Sequence, residues 1–323
     1  METLIQVSGL HKQFDLVHAV RGIDLTVERG DVLGFLGPNG AGKSTTMKMI
    51  TGFLTPTAGD ISIAGFDIAS HPQEAKRRIG YLPEGAPAWG EMTPRAFLEF
   101  IADIRQLSGD RRRRRIDTVI QQVHLEGVLA QPIDTLSKGF RRRVGLALAI
   151  LHDPEVLILD EPTDGLDPNQ KFEVRSLIGE MAADKAIVIS THILEEVEAL
   201  CTRATIIADG TLLFEGTPEE LAARSPSHHA VHVTVGEDDA EQAETIIREH
   251  ASVAEVRRQT AADPGLVTLA ALPAAGAQIL GSLSLALHDS PITVRALREE
   301  SGRLDDVFRQ ITQRGVEGGV SRT

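Results

Sequence analysis

The apolar positions of this chain fall into two rhythms. Short runs at 32–36, 156–159 and 186–190 have almost no polar side, and they read as strands covered on both faces. Longer stretches between them carry helical spacing, as over 193–200. Strands alternating with helices predict an α/β fold around a mainly parallel sheet over residues 1–224. Segments 205–208 and 212–214 flank Asp209-Gly210, the turn chemistry of a hairpin. Thr217-Pro218-Glu219-Glu220 is a capping box with proline at the first helical position, and its helix closes this domain. Between about residues 84 and 153 the strand pattern vanishes. Segments 94–107 and 116–125 predict an all-helical insertion there.

Ser225-Pro226-Ser227 reads as a linker. Beyond it come a strand at 231–235, a helix at 240–250, strands at 253–257 and 266–269, a helix at 274–287 and a strand at 292–295. The order βαββαβ predicts a small α+β, ferredoxin-like accessory domain over 225–313. A last helix is expected over 304–312. The Gly- and Ser-containing tail at 314–323 is expected to be disordered.

Composition narrows the class without changing this picture. With 42% hydrophobic and 24% charged residues and a mean hydropathy of -0.06, the chain is not a disordered one. No apolar run approaches a bilayer span, and the N-terminus lacks a basic segment followed by an apolar one. The single cysteine, Cys201, excludes a disulfide framework and a cysteine-based metal cluster. These features predict a cytoplasmic chain that reaches a membrane only through a partner. A net charge of -13 argues against a general nucleic-acid binder, so no nucleic-acid partner is expected. Arginines cluster at 111–115 and 141–143. Such runs read either as solvated helix faces or as contacts with a partner or with anionic headgroups.

The chemistry concentrates at two strand ends. Gly37-Pro38-Asn39-Gly40-Ala41-Gly42-Lys43-Ser44, followed by Thr45, fits G-x-x-x-x-G-K-[ST] directly after a strand and opening a helix. Glycines let backbone N–H groups turn inward around a phosphate, and the helix N-terminus adds its free amides. Lys43 supplies a cation to the β- and γ-phosphates, and the Ser44 hydroxyl can ligate Mg²⁺. The second strand end is Asp160-Glu161, after four apolar residues. Successive side chains on a strand point opposite ways, so the two acids serve different atoms. Asp160 is the Mg²⁺ partner and Glu161 the acid that polarises the attacking water.

The sequence around these motifs resembles the ATP-binding-cassette (ABC) ATPases. Leu136-Ser137-Lys138-Gly139-Phe140 is similar to the family's LSGGQ signature. Asp164-Gly165-Leu166-Asp167 looks like its D-loop, and Ser190-Thr191-His192 like its switch histidine. Phe14 stands where the family carries an adenine-stacking aromatic, and Gly80-Tyr81-Leu82-Pro83-Glu84 falls at its Q-loop. The resemblance spans about residues 4–223, with all motifs in order. It implies a P-loop NTPase of ABC type that binds and hydrolyses ATP with Mg²⁺ as a head-to-tail homodimer, or with a related subunit, beneath a separate transmembrane permease. It further implies that Ser137 and Gly139 reach the γ-phosphate bound at the partner subunit, that His192 holds this phosphate and links it to Glu161, and that Asp167 joins the two sites. Two departures stand out. Glu84 replaces the Q-loop glutamine, where it is expected to touch Mg²⁺, and the signature carries Lys138 and Phe140. Both are similar to the drug-export and gliding-motility-type branch, which implies an exporter. A non-transport ABC ATPase and an importer subunit are the competing expectations. Segment 86–92, with the only tryptophan, Trp89, is expected either to meet the permease or to be buried structurally.

Overall fold

A computed structural model describes residues 2–85, 89–261, 263–274 and 277–319, without the side chains of 313–319. The chain forms two compact units, one of residues 1–218 with 312–323 and the other of 219–311.

The first unit holds two sheets. The larger has six strands in the order Thr211–Gly216, Arg203–Ala208, Val32–Leu36, Ala186–Thr191, Val156–Asp160, Ile79–Leu82. All neighbours run parallel except the first pair, the hairpin foreseen at Asp209-Gly210, where both residues have positive φ. Val32–Leu36 and Val156–Asp160 are buried along their whole length, as two-sided cover requires. The smaller sheet is antiparallel, in the order Val17–Glu28, Thr3–Phe14, Ala58–Ile63, Phe66–Asp67. The hydrophobic pattern gives no clear sign of it. Thr3–Phe14 and Val17–Glu28 pair with four register shifts, and each shift breaks the alternation that marks a strand.

The helix Lys43–Ile50 packs on both sheets, against Val17–Glu28 and Val156–Asp160. Its Met47 and Ile50 join one buried cluster with Ile23 and Ile61 of the smaller sheet and Phe35, Val156 and Val188 of the larger. The loop that opens this helix is therefore fixed by the main core. Among the described residues, no strand lies between Leu82 and Val156. Helices Pro94–Ile104, Gly109–Gln122 and Lys138–Ile150 fill that stretch. Thr93 caps the first of them by accepting from the Ala96 N–H at 3.2 Å.

The second unit contains Val231–Gly236, Ala240–Glu249, Val253–Thr260, Leu266–Pro273, Leu280–His288 and Val294–Glu299 in that order. Its sheet is antiparallel, ordered Val253–Thr260, Leu266–Pro273, Val231–Gly236, Val294–Glu299. Val233, Leu269, Ala243 and Leu283 lie in its own buried cluster. The last helix, Leu304–Gly319, runs well past Thr312 into the stretch expected to be a disordered tail, of which 320–323 lie outside the described residues.

Candidate functional site

Positive φ at Gly40 and Gly42 turns the loop 37–42, and Gly42 ends it as the residue before the helix, with φ 105°. A Cβ at Gly42 would stand 2.6 Å from the Ala19 carbonyl, so both the backbone and the space there demand glycine. Lys43 is buried. Its ammonium donates to the Gly37 carbonyl at 2.6 Å and the Pro38 carbonyl at 3.1 Å, folded over its own loop. Burial lowers its pKa, and the negative charges of Glu161, Asp160 and Glu84 oppose that shift. Ser44 and Thr45 follow, half-buried, in the first turn of the helix.

Asp160 ends its strand buried, and its Oδ1 accepts from the Ser190 hydroxyl of the neighbouring strand. Glu161 leaves the strand with φ 49°, a left-handed conformation that costs a non-glycine residue of order 1 kcal/mol. That turn separates the two acids. Glu161 Oε1 accepts from His192 Nδ1 at 3.0 Å, while its backbone N–H donates to the Ser190 carbonyl at 3.0 Å. The next residue on the switch strand, Thr191, donates to buried Glu196 at 2.7 Å, and Thr163 donates to the same carboxylate.

Glu84 is exposed just past the strand Ile79–Leu82. It lines a cavity of about 330 Å³ with Glu161, Asp164, Lys138, Arg141 and Arg142. Ser137 is the N-cap of the helix Lys138–Ile150, accepting from the Phe140 N–H at 3.3 Å. Gly139, behind it, is buried next to the Gln170 side chain. Lys138 pairs with Asp164 at 2.8 Å, and this hydrogen bond holds the Asp164 carboxyl below its usual range. Asp167 caps the helix Pro168–Ala182 by accepting from the Gln170 N–H at 2.9 Å. Phe14 is 44% exposed at the end of its strand, with Lys12 Nζ 5.0 Å from the ring centre.

The site residues thus fall into two groups. Lys43, Asp160, Glu161, Glu84 and His192 share one electrostatic neighbourhood. Among the described residues, no hydrogen bond or ion pair joins Phe14, Ser137, Gly139 or Asp167 to them. Sequence reasoning missed Ser190, Glu196 and Arg142 as supports. The arginine run at 141–143 carried the one available signal, and reading it as a wholly solvated face is corrected here: Arg142 and Arg143 are buried, Arg143 against Glu173 at 2.6 Å. Of the 111–115 run, Arg115 turns inward to the carbonyls of Ile150 and Leu151, while Arg111, Arg113 and Arg114 are exposed.

Among the described residues, no group of three or more His, Cys, Asp or Glu side chains is placed to hold a metal ion. The hydroxyl and carboxylate oxygens of Ser44, Asp160 and Glu84 are hard donors, the kind that Mg²⁺ takes alongside phosphate and water oxygens. No described helix is long and apolar enough to cross a membrane.

Residues 20–164 match the ABC transporter family. Over 227 residues the chain is 39% identical to the bacitracin transport ATP-binding protein BcrA of Bacillus licheniformis, covering 70% of this chain and 73% of that one. It is 35% identical over 222 residues to the Nod factor export ATP-binding protein I of Ralstonia nicotianae, covering 68% of each. A solved ATP-binding subunit of an ABC transporter superposes with a TM-score of 0.64 at 32% identity, over 68% of this chain and 91% of that one. The chain spans only 25% to 39% of the length of the longer curated relatives it matches.

Proposed function

The chain belongs to the ABC transporter ATP-binding family, and from that premise we propose that it is the ATP-hydrolysing subunit of an exporter, working as a head-to-tail homodimer beneath a separate permease. The observation that carries the reading is the Glu161–His192 pair at 3.0 Å, set at a strand end in the field of the loop lysine.

Loop amides and Lys43 bind the β- and γ-phosphates, and Phe14 stacks on the adenine. Ser44, Asp160 and Glu84 would hold Mg²⁺, which when bound would neutralise charge on the phosphate oxygens. Glu161 takes a proton from the water that attacks the γ-phosphorus, as the bond from that phosphorus to the β–γ bridging oxygen breaks and ADP leaves. His192 donates from Nδ1 to Glu161 and holds the γ-phosphate. Ser137 and Gly139 of the opposite protomer, at a helix N-terminus, close over that phosphate. Asp167 joins the two sites. The export direction is supported by the relative named for Nod factor export. Trp89 is 48% exposed and stacks edge-on against Phe97 and Phe100, which supports a permease contact on the helical segment. Residues 86–88 of that segment lie outside the described residues. The permease holds the subunit at the inner face of the cell membrane. The strand order of the second unit supports a ferredoxin-like accessory domain at 225–313, serving regulation or dimer stabilisation.

The test is Glu161→Gln beside Lys43→Ala. Glu161→Gln should bind ATP normally, lose about 10²–10⁴-fold in turnover and accumulate as an ATP-dependent dimer in sedimentation. Lys43→Ala should weaken nucleotide binding itself. Wild-type hydrolysis by Glu161→Gln removes Glu161 from the role.

A further inference from the structure

The parallel pair Ile79–Leu82 and Val156–Asp160 is in register as far as Leu82 and Leu159. Beyond that point the two chains part, one toward Glu84 and the other into the left-handed turn at Glu161. Each leaves carbonyls at the opening of the fork. The helix Lys138–Ile150 lies close by, because a Cβ at Gly80 would overlap the Ala149 carbonyl. From its second turn Arg142 enters the fork, only 7% exposed. Nη1 donates to the carbonyls of Pro83 at 2.9 Å and Gly85 at 3.2 Å. Nη2 donates to the carbonyls of Asp160 and Glu161, and Nε reaches that of Pro162 at 3.4 Å.

Among the described residues, no carboxylate lies within ion-pair distance of Arg142, and all its hydrogen bonds go to backbone. A planar guanidinium has five N–H groups in a fixed fork, so it can span two diverging chains where a lysine cannot. Burial pushes its pKa down while Asp160, Asp164, Glu161 and Glu84 oppose the shift. The cation therefore sits in an acidic surrounding without being paired to any one acid. A residue serving only packing would not need its donors shared between these two segments.

We infer that Arg142 is a positioning residue that clamps the backbone of Glu161 to the loop carrying Glu84, so that a shift of that loop is transmitted to the attacking-water carboxylate. The inference rests on the proposed role of Glu161 and deepens it. With its donors committed to backbone carbonyls, Arg142 should act on turnover alone.

The test uses the full chain with Arg142→Gln, Arg142→Lys and Glu161→Gln, reading kcat, KM and the affinity for a fluorescent ATP analogue. Arg142→Gln should keep nucleotide affinity within about threefold and lose about 10²-fold in kcat, the scale expected when a supporting hydrogen-bond partner is removed. Arg142→Lys, which keeps the charge and up to three donors, should recover about tenfold of that loss. It carries the test alone if Arg142→Gln loses nucleotide binding through misfolding, with kcat then about tenfold below wild type at unchanged KM. Wild-type kcat in Arg142→Gln overturns the inference. So does a fall in nucleotide affinity matching the fall in kcat in Arg142→Lys. If Glu161→Gln turns over normally, the reading of the site fails. If it is inactive while the Arg142 variants are not, only the clamp fails.

Discussion

At the scale of single residues, the site depends on how charge is placed around Lys43. Glu161, Asp160 and Glu84 all favour its charged form against burial, so each contributes to holding a cation where phosphate must bind. Glu84 differs from the other two in being exposed, and it lines the cavity next to Glu161. A glutamine there would offer a neutral carbonyl oxygen at nearly the same length. Glu84→Gln is therefore expected to keep ATPase activity within about tenfold while needing more Mg²⁺, and Glu84→Ala to lose more than about tenfold, as for other changes around a metal. ATPase rate against Mg²⁺ concentration checks this, and a Glu84→Ala curve superimposable on wild type removes Glu84 from the site. Lys43, Asp160 and Glu161 were legible in the sequence because their chemistry is local, a loop and a strand end. The left-handed backbone of Glu161 and its tie to Arg142 were not. The tie depends on a helix that starts more than twenty residues upstream of that strand end.

At the scale of elements, the turn between the helix Lys138–Ile150 and the strand Val156–Asp160 carries a titration of its own. His152 is buried there, its Nε2–H donating to the Ile79 carbonyl at 3.1 Å while Nδ1 has no partner. Burial, then the nearby charges of Arg105 and Arg115, push its pKa down to about 3. The folded form holds a neutral ring. Its stability contribution is full above the ordinary value of about 6.5 and is lost as pH falls toward 3. That linkage amounts to about 2 kcal/mol at pH 5 and about 4 to 5 kcal/mol at pH 3. His152→Gln keeps a donor for Ile79 without a proton to take up. Chemical denaturation at pH 7 and pH 5 should show wild type losing about 2 kcal/mol more than the variant. Equal losses would exclude His152 as the cause. The same scale explains what the pattern of apolar positions hides. The parallel strands are continuous apolar runs and stand out, whereas Thr3–Phe14 and Val17–Glu28 are broken by bulges and do not.

At the scale of the whole molecule, the chain is divided by its cores. One buried cluster holds the helix after the phosphate loop between two sheets, and a separate one fills the sheet and helices beyond residue 230. Every residue assigned to nucleotide lies in the first compact unit. The strand and helix order of the second unit was readable from short apolar runs bounded by turns, most clearly at Val231–Gly236, where buried Val231, Val233 and Val235 share one face. Its role was not readable, since no chemistry-bearing cluster marks it. A chain ending at Arg224 should therefore bind ATP within about threefold of the full chain, a difference of less than about 1 kcal/mol. The measurement is titration of a fluorescent ATP analogue into both proteins, after circular dichroism shows that the shortened one keeps its helices and strands. If the second unit stabilises the dimer, the shortened chain carrying Glu161→Gln should need more protein to form the ATP-dependent dimer in sedimentation, while binding ATP as before. Loss of ATP binding in a folded shortened chain would mean that the nucleotide site draws on residues beyond 224, and the boundary set by the two cores would then be wrong.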